Sequence, residues 1–524
     1  MNENRLSKVL NRIFHIVFLL CFGATFVCIL LAGFKSEKLG YSTKERLLVI
    51  LGFVILLAVI TGVYIFIQKF NTRPKIKVKR QLTDKHIKII IFSVAGVMLA
   101  IQLLMGYLLQ MEPVTDMRYL NRYSMDFAKT GNFDLIQQDC EKGSVYLIRY
   151  PNNFAIVFLL SFIYRIGYLI FGYIPTWLPV VFNAFAINIA IILTVFTAKK
   201  LFGNRKAIFV LALCFFFAPY YTYVPYYYTD SISMPFCVAS IYLFVCAVKS
   251  DTKYKKYILM ALCGVFTFIG FKLKGSIIIL LAVAIVYLVL KFGIKKILCF
   301  SLALIVGFGS INVAYSAIFN SMNIVTEEQS DKYEYPVTHW IMMGLKGLGH
   351  YNLEDSQYTQ SFPTKEEKQE ANIEVIKERI EDFGVSGLIS HIASKVKWTW
   401  EDGTYYISHH IEKPIRENIL HEFVLNNGEY HLIFYIYSCG FQLFLLFMIC
   451  VSIFKGCMKP EINLMTFLKG IVFACLIFFI IWETRSRYLY NFTPIFILLS
   501  ADGMDYMVSK LKFAKNKLLK RKTQ

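Results

Sequence analysis

The chain has 524 residues, of which 56% are hydrophobic and 16% aromatic, and its formal net charge is +21. Soluble domains carry roughly 45–50% apolar residues and lack recurrent 20-residue apolar runs, so a soluble fold is excluded and an all-α polytopic membrane protein is expected. The positive charge does not point to nucleic acid, because it lies in short basic stretches between apolar runs, where it reads as a topology signal.

Apolar runs able to cross ~30 Å of hydrocarbon as helices fall near residues 13–34, 47–68, 89–111, 153–172, 177–198, 207–222, 232–248, 257–271, 275–291, 295–317, 431–455, 464–482 and 488–508. The first is too long for a signal-peptide core and has no small-residue cleavage site, so it is expected to stay in the protein. Residues 69–88 hold eight Lys/Arg against one Asp, and the tail after Ser509 holds seven Lys/Arg and no acid. The long polar segment 318–430 reverses this balance, with nineteen Asp/Glu against ten Lys/Arg. Basic loops stay cytoplasmic, which predicts cytoplasmic N- and C-termini and an extracellular 318–430.

Four divisions follow: two N-terminal spans with a basic loop (1–88), a membrane core (89–317) with a first outer loop (112–152), an outer loop domain (318–430), and the C-terminal spans with their tail (431–524). The stretch KKLFGNRK (199–206) belongs inside while 111–152 belongs outside, which requires an odd number of crossings between them. Two candidate runs lie there. Pro175, Pro179 and Asn183 mark the second, 177–198, as the less certain span. Ten of the twelve cysteines sit in apolar runs and none forms a CxxC pair, so neither a disulfide framework nor a zinc site is expected.

In the outer segments, residues 117–130 have amphipathic helical spacing, with Asp116 in the N-cap position and Gly131 as the stop. Thr364 and Glu367 form a capping-box pattern opening a helix that ends near Gly384. Its stripe of Ile373, Ile376, Ile380 and Phe383 is expected to pack on the membrane domain. A second helix should follow, with Leu388, Ile392 and Val396 on one side.

Sorting ionisable residues by side places Glu112, Asp116, Arg118, Arg122, Arg149, Asp230, Lys272, Lys274, Glu483, Arg485 and Arg487 at the outer ends of spans. Charges at membrane depth are costly, so they tend to face a cavity, pair with one another and mark function. Carboxylates mix here with cations around tyrosine-rich strings such as Tyr220–Tyr223 and Tyr226–Tyr228, a mixture suited to chemistry on a polar group carried by an anionic lipid. Simpler roles also fit: a helix cap for Asp116, snorkelling for Lys272 and Lys274, and an interfacial belt for the tyrosines.

The order of RYPNN (149–153), KKLFGNRK (199–206), TDSISMPF (229–236), HWIMMGLKGLGHYNLED (339–355), WTWEDGTYY (398–406) and ETRSRYLYNFTPIF (483–496) resembles the GT-C superfamily of integral membrane glycosyltransferases. That superfamily includes the dolichyl-phosphate-mannose protein mannosyltransferases and the aminoarabinose transferases, and the later motifs resemble a Gram-positive bacterial branch. The resemblance covers roughly residues 90–505 and implies a bundle of about 12–14 transmembrane segments with a mixed extracellular loop domain. It also implies transfer of a sugar from a polyprenyl-phosphate donor to a cell-envelope glycan, lipid or protein acceptor (a wall polysaccharide or teichoic acid among them) on the extracellular face of the cell membrane.

The family's first-loop acid falls on Asp116, with Glu112 as its alternate, and its Tyr-Pro entry falls on Tyr150 and Pro151. Inverting transfer needs one carboxylate as base and fixed positive charge for the leaving phosphate. Arg149, Arg485 and Arg487, supported by Lys272 and Lys274, are the expected phosphate ligands. Arg118, Tyr150, Tyr228, Asp230, His339, Trp340, His350 and Glu483 are the expected sugar or acceptor contacts. No cofactor is expected; a divalent metal would have to use Asp116 and Asp230. Two other readings remain open, a polysaccharide polymerase or ligase and a lipid-linked sugar flippase.

Overall fold

The computed structural model describes residues 5–32, 43–69 and 83–522, so most of the basic stretch 69–88 lies outside the described residues. In chain order the helices are α1 (Arg5–Ala32), α2 (Thr43–Lys69), α3 (Asp84–Leu108), α4 (Thr115–Thr130), α5 (Asp134–Glu141), α6 (Tyr146–Arg149), α7 (Phe154–Phe171), α8 (Leu178–Phe202) and α9 (Asn204–Phe216). Next come α10 (Pro219–Thr222), α11 (Thr229–Ile232), α12 (Met234–Lys249), α13 (Lys253–Leu273), α14 (Ile278–Lys291) and α15 (Ile294–Ser321). The large loop carries α16 (Glu327–Tyr333), α17 (Val337–Gly344), α18 (Leu353–Gln360), α19 (Lys365–Trp400) and α20 (Ile419–Val424). The bundle closes with α21 (His431–Met458), α22 (Leu464–Ile481) and α23 (Thr493–Lys522). The chain is therefore an all-α polytopic membrane protein, and each of the thirteen apolar runs overlaps a helix among the described residues.

Ten helical stretches among the described residues are long and apolar enough to cross a membrane. One of them, α7, does not cross. Near its start, Phe154 packs on Phe319 at the end of α15 (ring centroids 5.1 Å apart). Near its end, Gly167 packs so closely on Leu178 that a Cβ there would lie 2.5 Å from the Leu178 Cδ2. The start of α8 lies beside the end of α3, because a Cβ on Gly106 would meet Val180 at 2.8 Å. The end of α8 lies beside the start of α3, where Lys199 pairs with Asp84 at 3.2 Å. Helix α8 thus crosses antiparallel to α3, and both ends of α7 stay on the first-loop side.

Helix α7 instead lies along α4, with Ser124 Oγ donating to Val157 O (3.2 Å) and Arg165 donating to Ala128 O (2.9 Å). Phe162, Leu169 and Ile170 are two-thirds exposed on its other face, the pattern of a helix lying in a membrane interface. This corrects the expectation that 177–198 was the doubtful span. Nine long stretches remain as candidate crossings among the described residues, and Gly275–Lys291 is a shorter apolar helix beside them.

Asn183 is polar because α9 breaks opposite it. The run 207–222 leaves the helix after Phe216 and continues as the single turns α10 and α11. The Asn183 amide donates to the carbonyls of Tyr223 (3.0 Å), Val224 (3.0 Å) and Tyr226 (3.3 Å). Unwound backbone at membrane depth needs such partners. Gln102 supports the same segment by donating to Tyr220 O at 3.0 Å.

The outer loops fold as compact helices. Thr364 caps α19 by accepting from Glu367 N (3.2 Å), and at Gly384 the backbone turns to φ 55, ψ −172 before the second half resumes. The first half packs on α17 and α18 rather than on the membrane domain. Arg379 reaches Met342 O (2.6 Å) and Asp355 (2.7 Å), Thr359 donates to Asn372 (3.0 Å), and Ile380 is left 44% exposed. Helix α4 stops at Gly131 (φ 77) as expected, but Val114 occupies its N-cap and Asp116 lies inside the first turn. Asp116 is therefore not a cap.

Candidate active site

Five chain segments converge on the first-loop side of the bundle. The first is the start of α4, which Thr115 enters through a left-handed turn (φ 47) that swings Asp116 inward. Its approach is tied to the large loop: Met111 pairs with Pro414, Glu112 N donates to Lys413 O (3.1 Å), and Ile415 N donates to Gln110 O (2.9 Å). The second is the broken stretch 217–233, from which the Tyr228 hydroxyl donates to Asp116 Oδ2 at 3.3 Å.

The third is the turn after α13, where Lys274 Nζ lies 2.6 Å from Oδ1 of the fully buried Asp230, whose Oδ2 has no donor among the described groups. The fourth is the 3-10 turn after α22, which brings Arg487 Nη2 to 3.7 Å from Asp116 Oδ2 and donates Nη1 to the Tyr226 hydroxyl (3.0 Å). The Tyr488 ring beside it lies under Lys274 (4.1 Å), and its hydroxyl donates to Glu483 Oε2 (2.8 Å).

The fifth segment, 402–410, follows α19. Asp402 accepts from Thr404 N (2.8 Å), Tyr406 N (2.7 Å) and Ser486 Oγ (2.8 Å), which holds Tyr405 and Tyr406 in left-handed conformations (φ 54 and 66). His410 then stacks on Tyr226, centroids 4.3 Å apart and planes 8° apart. Burial first, then the Arg487 and Arg485 guanidiniums, push His410 well below the ordinary imidazole value. A neutral His410 presents Nε2 as an acceptor 3.4 Å from Arg487 Nη1.

The arrangement is asymmetric in exposure: the Arg487 side chain is 9% exposed and that of Asp116 35%. A carboxylate that solvent and ligand reach is thus backed by a guanidinium held almost out of water, where its field is least screened. Such a pair can take a proton on the open side and hold negative charge on the closed side.

Of the residues expected from sequence, Asp116, Tyr228, Asp230, Lys274, Glu483 and Arg487 come together. Arg485 lies over the Tyr406 ring at 5.1 Å, at the edge of this group. Lys272 points elsewhere, over Tyr315 at 4.8 Å. Arg149 donates to Gln360 (2.8 Å) and lies over Tyr335 (5.6 Å). Tyr150 lies beside Tyr335 and Trp340, at 5.6 and 6.0 Å.

Glu112 and Arg118 line an open groove along α4 with Asn121, Arg122 and Asp126. His339 is a packing residue: it is buried, its Nδ1 pairs with Thr359 Oγ1 (2.8 Å), and burial pushes it down to about 4. His350 packs near Trp398 at 6.0 Å. Asp116 and Asp230, the pair considered for a divalent cation, each face a cationic side chain, and among the described residues no three His, Cys, Asp or Glu converge as ligands.

Sequence reasoning named Tyr226 only within a tyrosine string and missed Asp402, His410 and Tyr488. The string WTWEDGTYY held the one available signal, because an Asp two and four residues before backbone donors marks an Asx-type turn.

A family model described as a conserved hypothetical integral membrane protein matches residues 4–508. No curated protein matches the chain. Among solved structures, the archaeal oligosaccharyltransferase AglB from Archaeoglobus fulgidus, in complex with an inhibitory peptide and a dolichol-phosphate, is similar at TM-score 0.41 and 13% identity, covering 82% of this chain and 51% of that one. The present chain thus spans about half the length of that protein. ArnT from Cupriavidus metallidurans bound to undecaprenyl phosphate is similar at TM-score 0.34 and 12% identity, covering 80% of this chain and 78% of the other.

Proposed function

The chain belongs to the conserved hypothetical integral membrane protein family, and we propose that it is a GT-C-type glycosyltransferase. In this reading it moves a sugar from a polyprenyl-phosphate carrier to a cell-envelope acceptor on the extracellular face. The observation that carries the reading is the partly exposed Asp116 carboxylate set 3.7 Å from the buried Arg487 guanidinium. The motif order described above is consistent with it.

The reaction is a single displacement. Asp116 removes the proton of an acceptor hydroxyl, that oxygen attacks the anomeric carbon from the side opposite the phosphate, and the carbon–oxygen bond to the phosphate breaks with inversion. Arg487 and Lys274 meet the charge that develops on the leaving phosphate. Asp230 holds Lys274 in place, and His410 with Tyr226 fixes the Arg487 fork. The basic stretch 69–88 and the basic tail after Ser509 support a cytoplasmic side opposite the site in this reading.

Purified protein in detergent with synthetic polyprenyl-phosphate sugars tests the reading, with transfer or hydrolysis scored by mass spectrometry. Asp116→Asn is expected to keep the thermal stability of the wild type and to lose 10²–10⁴-fold in turnover, the usual worth of a general base. Wild-type turnover by that variant would remove Asp116 from the mechanism. No product from any lipid monophosphate sugar would remove the donor class.

A further inference from the structure

The displacement uses one carboxylate and a few cations, and it leaves unexplained a row of aromatic rings that runs outward from Asp116. Tyr119 and Tyr146 stack with centroids 4.4 Å apart and planes 8° apart. Tyr146 meets Tyr150 at 5.1 Å, Tyr150 meets Trp340 at 6.0 Å, and Trp340 lies 6.4 Å from a nearly parallel Trp482. The rings come from α4, the α6 turn, α17 and the residue after α22, so no local propensity lined them up. Tyr119 is 36% exposed and the other four are neither fully buried nor fully exposed, so the row borders the surface.

The row is not a core cluster, because core rings are covered on all sides. It is also not an interfacial belt, which would circle the bundle at headgroup depth. This row instead runs inward, since the Tyr146 hydroxyl neighbours the Asp116 carboxylate.

Fixed polar groups border it. Arg149 keeps its Nε–H buried with no acceptor among the described residues, although its Nη2 is engaged by Gln360. Asn153 donates to the Tyr146 hydroxyl at 3.0 Å. Flat apolar faces beside a few fixed donors suit a pyranose ring: its C–H face rests on an aromatic plane, and its hydroxyls accept from the bordering N–H groups. An extended peptide would need unpaired backbone groups to match, and this wall presents rings instead.

We infer that the row from Tyr119 to Trp482 is an acceptor subsite and that the acceptor is a glycan chain, its terminal hydroxyl delivered to Asp116. This rests on the transferase reading for the role of the site, but not for the binding itself.

The full-length protein in detergent is titrated with chitotetraose and with cellotetraose in the absence of any donor lipid, following intrinsic fluorescence, for which Trp340 and Trp482 are the reporters. A saturable change with at least one tetrasaccharide is expected. Tyr119→Ala should weaken it at least tenfold at unchanged thermal stability, Trp340→Phe should reduce its amplitude, and Tyr254→Ala on the opposite side should leave it unchanged. No saturable change up to millimolar saccharide overturns the inference, as does an unaltered affinity in Tyr119→Ala or a saturable response to an extended peptide instead. Saccharide binding without transfer from any lipid monophosphate sugar would overturn the reaction and leave the subsite standing; transfer without saccharide binding would do the reverse.

Discussion

Asp230 has no exposed surface, and its one partner among the described groups is the ammonium of Lys274. Removing that cation leaves a buried, uncompensated carboxylate, a change that typically costs ~3–5 kcal/mol. Lys274→Met is therefore expected to lower thermal stability sharply, and the double variant Lys274→Met with Asp230→Asn to recover most of it; equal Tm values for wild type and Lys274→Met would refute the pairing. Glu401 gives a second handle. It is buried at the end of α19, and burial pushes its carboxyl up to about 8, with Lys397 at 3.6 Å opposing. The native state then holds a proton that the unfolded chain gives up above its ordinary value near 4.5, so this contribution to stability is complete below that value and is lost as pH rises through about 8. Glu401→Gln should flatten that decline, by several degrees in Tm near pH 8, as a thermal denaturation series across pH reads directly. At this scale the sequence exposed residue types but not their partners. Lys272 and Lys274 stand two positions apart at one helix end. Only the way the backbone leaves α13 after Leu273 sends Lys274 to Asp230 and leaves Lys272 over Tyr315.

At the scale of elements, punctuation was legible wherever it is chemical. Gly131 stops α4, and Thr364 with Glu367 opens α19. Gly384 divides α19 because its backbone (φ 55, ψ −172) falls in a region reached essentially by glycine alone. Gly384→Ala is expected to cost ~1–3 kcal/mol and to loosen the loop domain, which limited proteolysis of folded protein would show as earlier cleavage between α17 and α19. Direction was not legible. The composition of α7 is that of a span, and nothing within its own residues says that it lies flat. Its partner α4 decides that, through Ser124, Asn121 and the Ala128 carbonyl, contributed from outside the run. Likewise the prolines and Asn183 near α8 read as signs of a weak span, when Asn183 is there to serve carbonyls of a different segment.

For the whole molecule, an in-plane α7 makes a prediction that hydropathy alone does not. Single cysteines placed at Lys129, just before Gly131, and at Tyr173, after α7, should both react with a membrane-impermeant thiol reagent from the same side of sealed vesicles. A cysteine at Arg205, after α8, should react only from the other side. Labelling of positions 129 and 173 from opposite sides would require α7 to cross. The site's composition carries a consequence for biosynthesis. Asp116 arrives with the first loop, whereas the groups that face and frame it (Tyr226, Lys274, His410, Arg487) arrive in turn, the last of them after α22. During synthesis the carboxylate therefore waits, already inserted, for a guanidinium that has not yet been translated. A nascent chain halted before the 3-10 turn that follows α22 would already hold Asp116 and yet lack Arg487, so the carboxylate gains this partner only once that turn is made.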